Sequence, residues 1–494
     1  MPDNPIPRPP HDRRRSDLRV PPWAQLVGAA SLLLAAAAVA DGDLARPAQA
    51  QIAVQNQGYI PFSEPPINYR TRELTDPVTL LQKRLEAGTA ELVYEPGHGY
   101  LRSALQLLDI PVDSQTLVFS KTSFQHRLIS PEHPRALYYN DDVYIGAVHE
   151  GNAIEVISFD PMQGAIFFVL DEHRVDKPAF QRAELDCTQC HIAAGTRGVP
   201  GVFLRSVVPT STGTVAPRTT MLISDQNSPL KDRWGGWYAS GAFGGATMAN
   251  AVASAEAIAT SDAAAPAAPR LSTLVQPFDP SAYLAPTSDQ VALLVLAHQT
   301  QMHNLITLTN YQTRLALHAA ARETGASLDA AVALEALPEA ARQQITRPAE
   351  QLLRYLLFAS EASLGGADSR RIIASSAFAR EFAARGVRDS RRRSLRDFDL
   401  HDRTFRYPCS YLIYSSAFDA LPEPAKGYVY HRLLEILTGQ DQSADFARLT
   451  EQDRKDILSI LLETKPGLPP EWRDYARANR IRLASSLSPR APSN

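Results

Sequence analysis

The spacing of hydrophobic positions changes twice along the chain. After an irregular stretch rich in Pro, Tyr and polar residues at 59–73, Asp76 to Ala87 and Tyr100 to Asp109 repeat at helical intervals, with Leu101, Leu105 and Leu108 on one face. Beyond Pro111 the period shortens. Thr116 to Phe119, Ala136 to Tyr139, Val143 to Val148, Ile154 to Phe159, Ala165 to Leu170, Phe203 to Val208, Thr219 to Ser224 and Trp234 to Ser240 are short runs rich in β-branched and aromatic residues. In IEVISFDPMQGAIFFVLD, Pro161 and Gly164 sit where a four-residue hairpin loop needs them. From Asp289 onward the helical period returns. Val291, Leu294, His298, Met302 and Leu305 form one stripe, and amphipathic stretches follow to about residue 480, punctuated by Pro338, Pro348, Pro408, Pro422 and Pro424.

These patterns predict an α+β protein. A β-rich region spans 111–250, preceded by an irregular and helical segment at 51–110 and followed by a mainly helical half at 287–480. Residues 251–286 are low-complexity Ala/Pro and read as a linker, and 481–494 as a disordered tail. There is no internal repeat.

Composition adds two constraints. With 44% hydrophobic and 21% charged residues the chain has the balance of a globular protein, and a net charge of −3 supplies no field for nucleic acid, which is excluded as a partner. Residues 1–50 carry Arg13, Arg14, Arg15 and Arg19, then an Ala-rich apolar stretch from Ala24 to Ala40, then small-x-small sites at Ala38-Val39-Ala40 and Ala48-Gln49-Ala50. This is the pattern of a cleaved export signal, placing the mature protein in the periplasm or otherwise outside the cytoplasm. Only an uncleaved segment would tie it to a membrane.

Against that background the cysteines stand out. The chain has three, and two fall in DCTQCHIAAG as Cys187 and Cys190, with His191 immediately after. Three chemistries use Cys-x-x-Cys: a dithiol redox pair, a zinc site, and covalent haem. A dithiol pair sits at a helix start, and no helix is predicted here. Zinc needs four ligands, and Cys409 lies in the apolar aromatic segment YPCSYLIYS, where it reads as a buried free thiol. Covalent haem c alone uses the adjacent histidine, and the pentapeptide arises by chance in roughly 3 in 10,000 chains of this composition.

At these residues the sequence resembles c-type cytochromes. The stretches LVFSKTSFQ, NDDVYIG, GVPG, RWGGWY and RYPCSYLIYS are similar to those of a large family of exported single-haem cytochrome c-like proteins. The resemblance implies one covalent haem c, with thioethers at Cys187 and Cys190 and His191 as proximal iron ligand. The motif lies mid-chain among predicted strands, so a standard small cytochrome c fold is not expected.

The sixth iron position has several candidates. Met248 follows the Gly-rich GAFGG loop and ranks first; His298 and Met302, four apart on one helical face, rank second, while His303 is turned about 100° away. A histidine bonded to its core neighbours is the competing reading of His298. Met162 in a hairpin loop and Met221 in a strand rank lower. Arg233 and Trp234 of RWGGWY could approach haem propionates or simply pack in a Gly-kinked strand. Residues 140–142 (NDD) read as a turn, and 388–397 (RDSRRRSLRD) as a solvated charged loop. The expected role is electron transfer through Fe(III)/Fe(II) with a redox partner protein. A haem enzyme with an open distal site acting on a small molecule, or a small-ligand sensor, remains the alternative, and whether the protein is an enzyme stays open.

Overall fold

The computed structural model describes residues 60–240, 278–325, 332–365, 372 and 376–481. Residues 1–50, read as an export signal, Met248, residues 251–277 of the Ala/Pro stretch and the tail beyond 481 lie outside the described residues. All that is described belongs to one compact unit, 57–494.

The fold is α+β, built on an antiparallel sheet. Its strands are β1 (Thr116–Val118), β2 (Arg135–Tyr139), β3 (Val143–Val148), β4 (Ala153–Asp160), β5 (Gly164–Asp171), β6 (Phe180–Arg182) and, later in the chain, β9 (Trp237–Tyr238), in the order β6-β5-β4-β3-β2-β1-β9. A separate pair joins β7 (Leu204–Ser206) to β8 (Leu222–Ser224). Registers Leu137↔Gly146, Gly146↔Glu155 and Ile157↔Phe167 put one set of alternating side chains on one face. The opposite set, including Tyr138, Ile145, Val156 and Phe168, packs on the N-terminal segment through Tyr69, Val78 and Leu101. Both faces are therefore buried, which is why β3 is buried at every position. The β4–β5 hairpin turns at residues 160–164, where Asp160 accepts from Met162 N and Gln163 N and Gly164 takes a left-handed φ of +71°.

Helix α1 (Pro77–Glu86) opens with Asp76 accepting from Val78 N and Thr79 N, and α2 (Leu101–Leu107) follows. Helix α3 (Glu184–His191) lies between β6 and β7. The long helix α4 (Gln290–Thr324) starts at Asp289, whose side chain accepts from Ala292 N, and ends at Gly325 with φ +68°. Its first half is buried on all sides, between the sheet and the C-terminal helices α5 (Glu339–Leu356), α6 (Ala377–Ala384), α7 (Glu423–Leu437), α8 (Glu451–Thr464) and α9 (Pro470–Ala478). The expected single apolar stripe on α4 is replaced by all-round burial because it serves both layers. Pro348 does not end a helix but lies inside α5. Residues 278–286, expected as linker, pack on the core: Phe278 packs against Tyr238 at a tilt and edge-on to Tyr283, and Gln115 Nε2 donates to the Ala285 carbonyl. Among the described residues no helix is long and apolar enough to cross a membrane.

Burial of α4 has a consequence for stability. His298 and His303 are enclosed, and burial lowers both from the ordinary 6.5 to about 3, so both are neutral near neutral pH. Neither His303 ring nitrogen reaches a partner within hydrogen-bonding geometry, and the ring sits edge-on to Phe159 at 4.0 Å. A folded-state pKa below the unfolded value means the unfolded chain binds more protons between these two pH values. The stability contribution is present above about pH 6.5 and is lost as pH falls toward 3, at roughly 1.4 kcal/mol per pH unit for each histidine. His303→Leu removes one such group, so its advantage over the parent in urea denaturation should grow as pH falls from 6.5. A pH-independent difference would show that His303 does not titrate with unfolding.

Candidate cofactor site

The CTQCH segment forms helix α3, which the periodicity did not predict. No residue in α3 is buried and Leu185 is 67% exposed, so the helix has no apolar face of its own to register in the pattern. Glu184 and Asp186 in its first turn favour the positive end of the helix. Its ends are tied down elsewhere: Arg70 Nε donates to Glu184 Oε1 at 2.6 Å, and Gly201 N donates to the His191 carbonyl at 3.1 Å. Helical geometry places Cys187, Cys190 and His191, at i, i+3 and i+4, on one face.

The segment after α3 folds back on it. Arg197 (φ +59°) and Gly198 (φ +75°) reverse the chain, returning Gly201 to His191. The imidazole Nδ1 lies 2.9 Å from the Gly201 carbonyl oxygen. A carbonyl can only accept, so Nδ1 carries the proton and the neutral ring keeps its lone pair on Nε2. Burial, chiefly, lowers the His191 pKa below the ordinary value and favours that neutral form; Arg135 and Arg205 act in the same direction and Glu155 opposes them. The rings of Phe167 and Phe203 flank it at 5.2 and 5.9 Å between centroids.

Gly201 is itself held from above by α4. Asn304 Oδ1 accepts from Val202 N at 3.1 Å while its Nδ2 donates to the Val202 carbonyl at 2.7 Å. A Cβ on Gly201 would fall 2.1 Å from Asn304 Oδ1. The glycine is therefore required by the close approach of α4 rather than by an unusual φ.

Cys187, Cys190 and His191 line one cavity of about 480 Å³, a size suited to a single small molecule or cofactor. Its other walls are the sheet face, with Leu137, Ile157 and Phe167, the strand β7 side, and the loop at 122–126. Across the sheet face, Arg135 Nη2 donates to Glu155 Oε2 at 2.5 Å. Arg135 on β2 reaches Glu155 on β4 by crossing Gly146 on β3, where a Cβ would lie 2.1 Å from Nη2. Arg135 Nε is buried without a partner. Arg205 lies over the Phe203 ring at 4.8 Å and also reaches the cavity wall.

Cys187 does not have the character of an activated thiol. Cys187 is pushed up to about 11, by burial first and then by Glu155 and Asp186, whereas a reactive dithiol lowers its thiol pKa. Nor do the donors suit a bare ion: among the described residues no three His, Cys, Asp or Glu side chains converge on a metal position.

The structure thus brings Cys187, Cys190 and His191 together but does not bring His298 or Met302 to them. His298 Nδ1 is 2.5 Å from Gln226 Oε1 and its Nε2 is 2.7 Å from Ser410 Oγ, so both nitrogens are engaged, and its ring stacks on Phe358 at 4.5 Å. It is a core histidine. Met302 is fully buried in the sheet–helix core and is not on the cavity wall. The Arg233 guanidinium donates to the carbonyls of Ser228 and Gln226, which commits it to its own loop rather than to the cavity. Asn140 forms a turn by accepting from Asp142 N and Val143 N. The 388–397 segment is not only a solvated loop: Arg388 pairs within it with Asp397, but Arg393 reaches Asp456, Arg396 reaches Asp141 on the sheet side, and Asp389 is buried. Cys409 is a buried free thiol. Gly201, Asn304, Arg135 and Glu155 were not singled out from the sequence; GVPG was noted only as a resemblance.

Comparison with known proteins returns no match: no family model fits the chain, and no curated protein or solved structure is significantly similar to it.

The Gly201–Asn304 approach makes a direct prediction. Gly201→Ala should destabilise by about 1–3 kcal/mol through overpacking, and Asn304→Ala by about 1–3 kcal/mol through unpaired Val202 backbone groups. The double variant should lose less than the sum, because removing Asn304 makes room for the new methyl. Urea denaturation of the four proteins checks this, and strict additivity would contradict the packing described.

Proposed function

We propose that the protein is an exported c-type haem protein that binds one haem covalently through Cys187 and Cys190, uses His191 as the proximal ligand, and transfers single electrons to a redox partner protein. The observation that carries this reading is the His191–Gly201 hydrogen bond, which leaves the lone pair on Nε2 of a residue that lines the same cavity as both thiols. A metal-bound histidine commonly donates its other ring N–H to a carbonyl in this way, which fixes the tautomer and raises ligand basicity.

The residues present fit that group. Two thiols one helical turn apart would supply the two thioether attachments, and the histidine next to the second would supply a nitrogen to the iron. Apolar side chains from the sheet and β7 enclose a macrocycle-sized space, while Arg135 and Arg205 offer charge to carboxylates at the same wall. When bound, the haem supplies an Fe(III)/Fe(II) couple. The half-buried His191 has the rings of Phe167 and Phe203 beside it, and the Asn304 clasp on Val202 would help to hold the imidazole orientation through Gly201. The export pattern at 1–50 fits this assignment, because this haem is attached outside the cytoplasm in bacteria.

Spectroelectrochemistry of the holoprotein, made with a cytochrome c maturation system, tests the role. A reversible one-electron couple on a closed six-coordinate iron, without peroxide turnover, is the expected result. Five-coordinate iron that turns over peroxide would replace the carrier by a haem enzyme, and five-coordinate iron that binds NO or CO without turnover would replace it by a sensor.

A further inference from the structure

The cavity wall holds few side chains able to bind iron besides His191 and the two thiols. Tyr138 and Tyr139 donate their phenol protons to Gln115 Oε1 and the Ala292 carbonyl, both at 2.6 Å, and the Tyr144 hydroxyl accepts from Gln299 Nε2 at 2.9 Å. Burial holds all three phenols above their ordinary range, so none offers a phenolate. Among the described residues no methionine or lysine is on the wall, and Met248 lies outside them. His126 lines the cavity, is exposed to solvent, and its imidazole makes no hydrogen bond or ion pair among the described residues.

The segment that carries His126 is anchored at two positions just before it. Ser123 Oγ donates to Glu155 Oε1 at 2.8 Å, and Gln125 Nε2 donates to the Ala153 carbonyl at 2.8 Å and to Glu155 Oε1 at 3.2 Å. A backbone turn closes from His126 N to Ser123 O at 3.1 Å. Glu155 is thus the common partner of this loop and of Arg135. Between the two anchors, Phe124 lines the same cavity with 72% of its surface in water. A pinned turn that presents an exposed phenylalanine and an unpartnered imidazole to one cavity leaves both with contacts still to make.

We propose that His126 supplies the sixth ligand of the haem, opposite His191, and that Phe124 packs against the bound macrocycle. This rests on the covalent-haem reading of the same site. Two neutral imidazoles stabilise Fe(III) more than imidazole with thioether does, so the couple lies at a lower potential than a His/Met site would give. Glu155 is a positioning residue in this arrangement, holding the turn through Ser123 and Gln125.

The test uses the holoprotein and its His126→Ala and His126→Met variants, with intact mass, ferric electron paramagnetic resonance, the near-infrared charge-transfer band and the midpoint potential as readouts. Wild type should be low-spin with the band of two nitrogen ligands. His126→Ala should become high-spin or water-ligated while keeping its haem, and added imidazole should restore the low-spin form. His126→Met should raise the potential and acquire a sulfur-to-iron band. A sulfur-to-iron band or a high-spin signal in wild type overturns the proposal without any variant, as does a wild-type spectrum unchanged in His126→Ala. If wild-type mass shows no covalent haem, the parent reading fails; haem present with His126 silent sinks this inference alone.

Discussion

The site depends on how closely α4 approaches the chain that follows α3. Asn304 can bond both backbone groups of Val202 only because Gly201 has no side chain, and that contact sets the position of the Gly201 carbonyl. The carbonyl in turn fixes which nitrogen of His191 carries the proton. Two adjacent residues of unremarkable type, Gly201 and Val202, and Asn304 more than a hundred positions further along the chain therefore set which nitrogen of His191 is protonated. Because α3 buries no residue fully, it is held largely by the clasp and the Arg70–Glu184 pair.

The same approach explains the polar content of α4. A helix enclosed by a sheet on one side and helices on the other must satisfy every polar side chain it carries, or lose stability for each one left over. Gln299 bonds the Asn140 carbonyl and Tyr144, Gln301 bonds the Gly195 carbonyl, and His298 bridges Gln226 and Ser410. These bonds pin the sheet, the loop after α3 and the C-terminal segment to one rod. The large helical half thus serves as the rigid backing for the cavity-bearing sheet, which a small one-domain carrier would not need.

The strands were legible because β-branched and aromatic runs bounded by turn residues carry a strong local signal, and β1 to β5 fall where that signal placed them. Strand β6 and helix α3 were not, because FQR is too short and ELDCTQCH has no apolar period. The helix nonetheless unites the three motif residues that sequence spacing alone had singled out. Pro348 looked like a stop, but its helix continues with that residue buried. His298 and Met302 were read from a stripe whose environment is a packed core, a distinction that helical spacing does not contain. The cavity wall was the least legible part: Arg135, Glu155 and Gly146 meet only through strand register, and His126 reaches the cavity only because Ser123 and Gln125 are tied to Glu155.

The central claim is that this helix face and cavity hold one covalent haem at Cys187 and Cys190. The most direct measurement is peptide mass mapping of the exported protein after trypsin, since cleavage after Arg182 and Arg197 isolates residues 183–197 with both cysteines. The account predicts that this peptide alone carries the added mass of one haem, with both thiols blocked to alkylation. Recovery of the peptide unmodified, with Cys187 and Cys190 free or joined to each other, would contradict it.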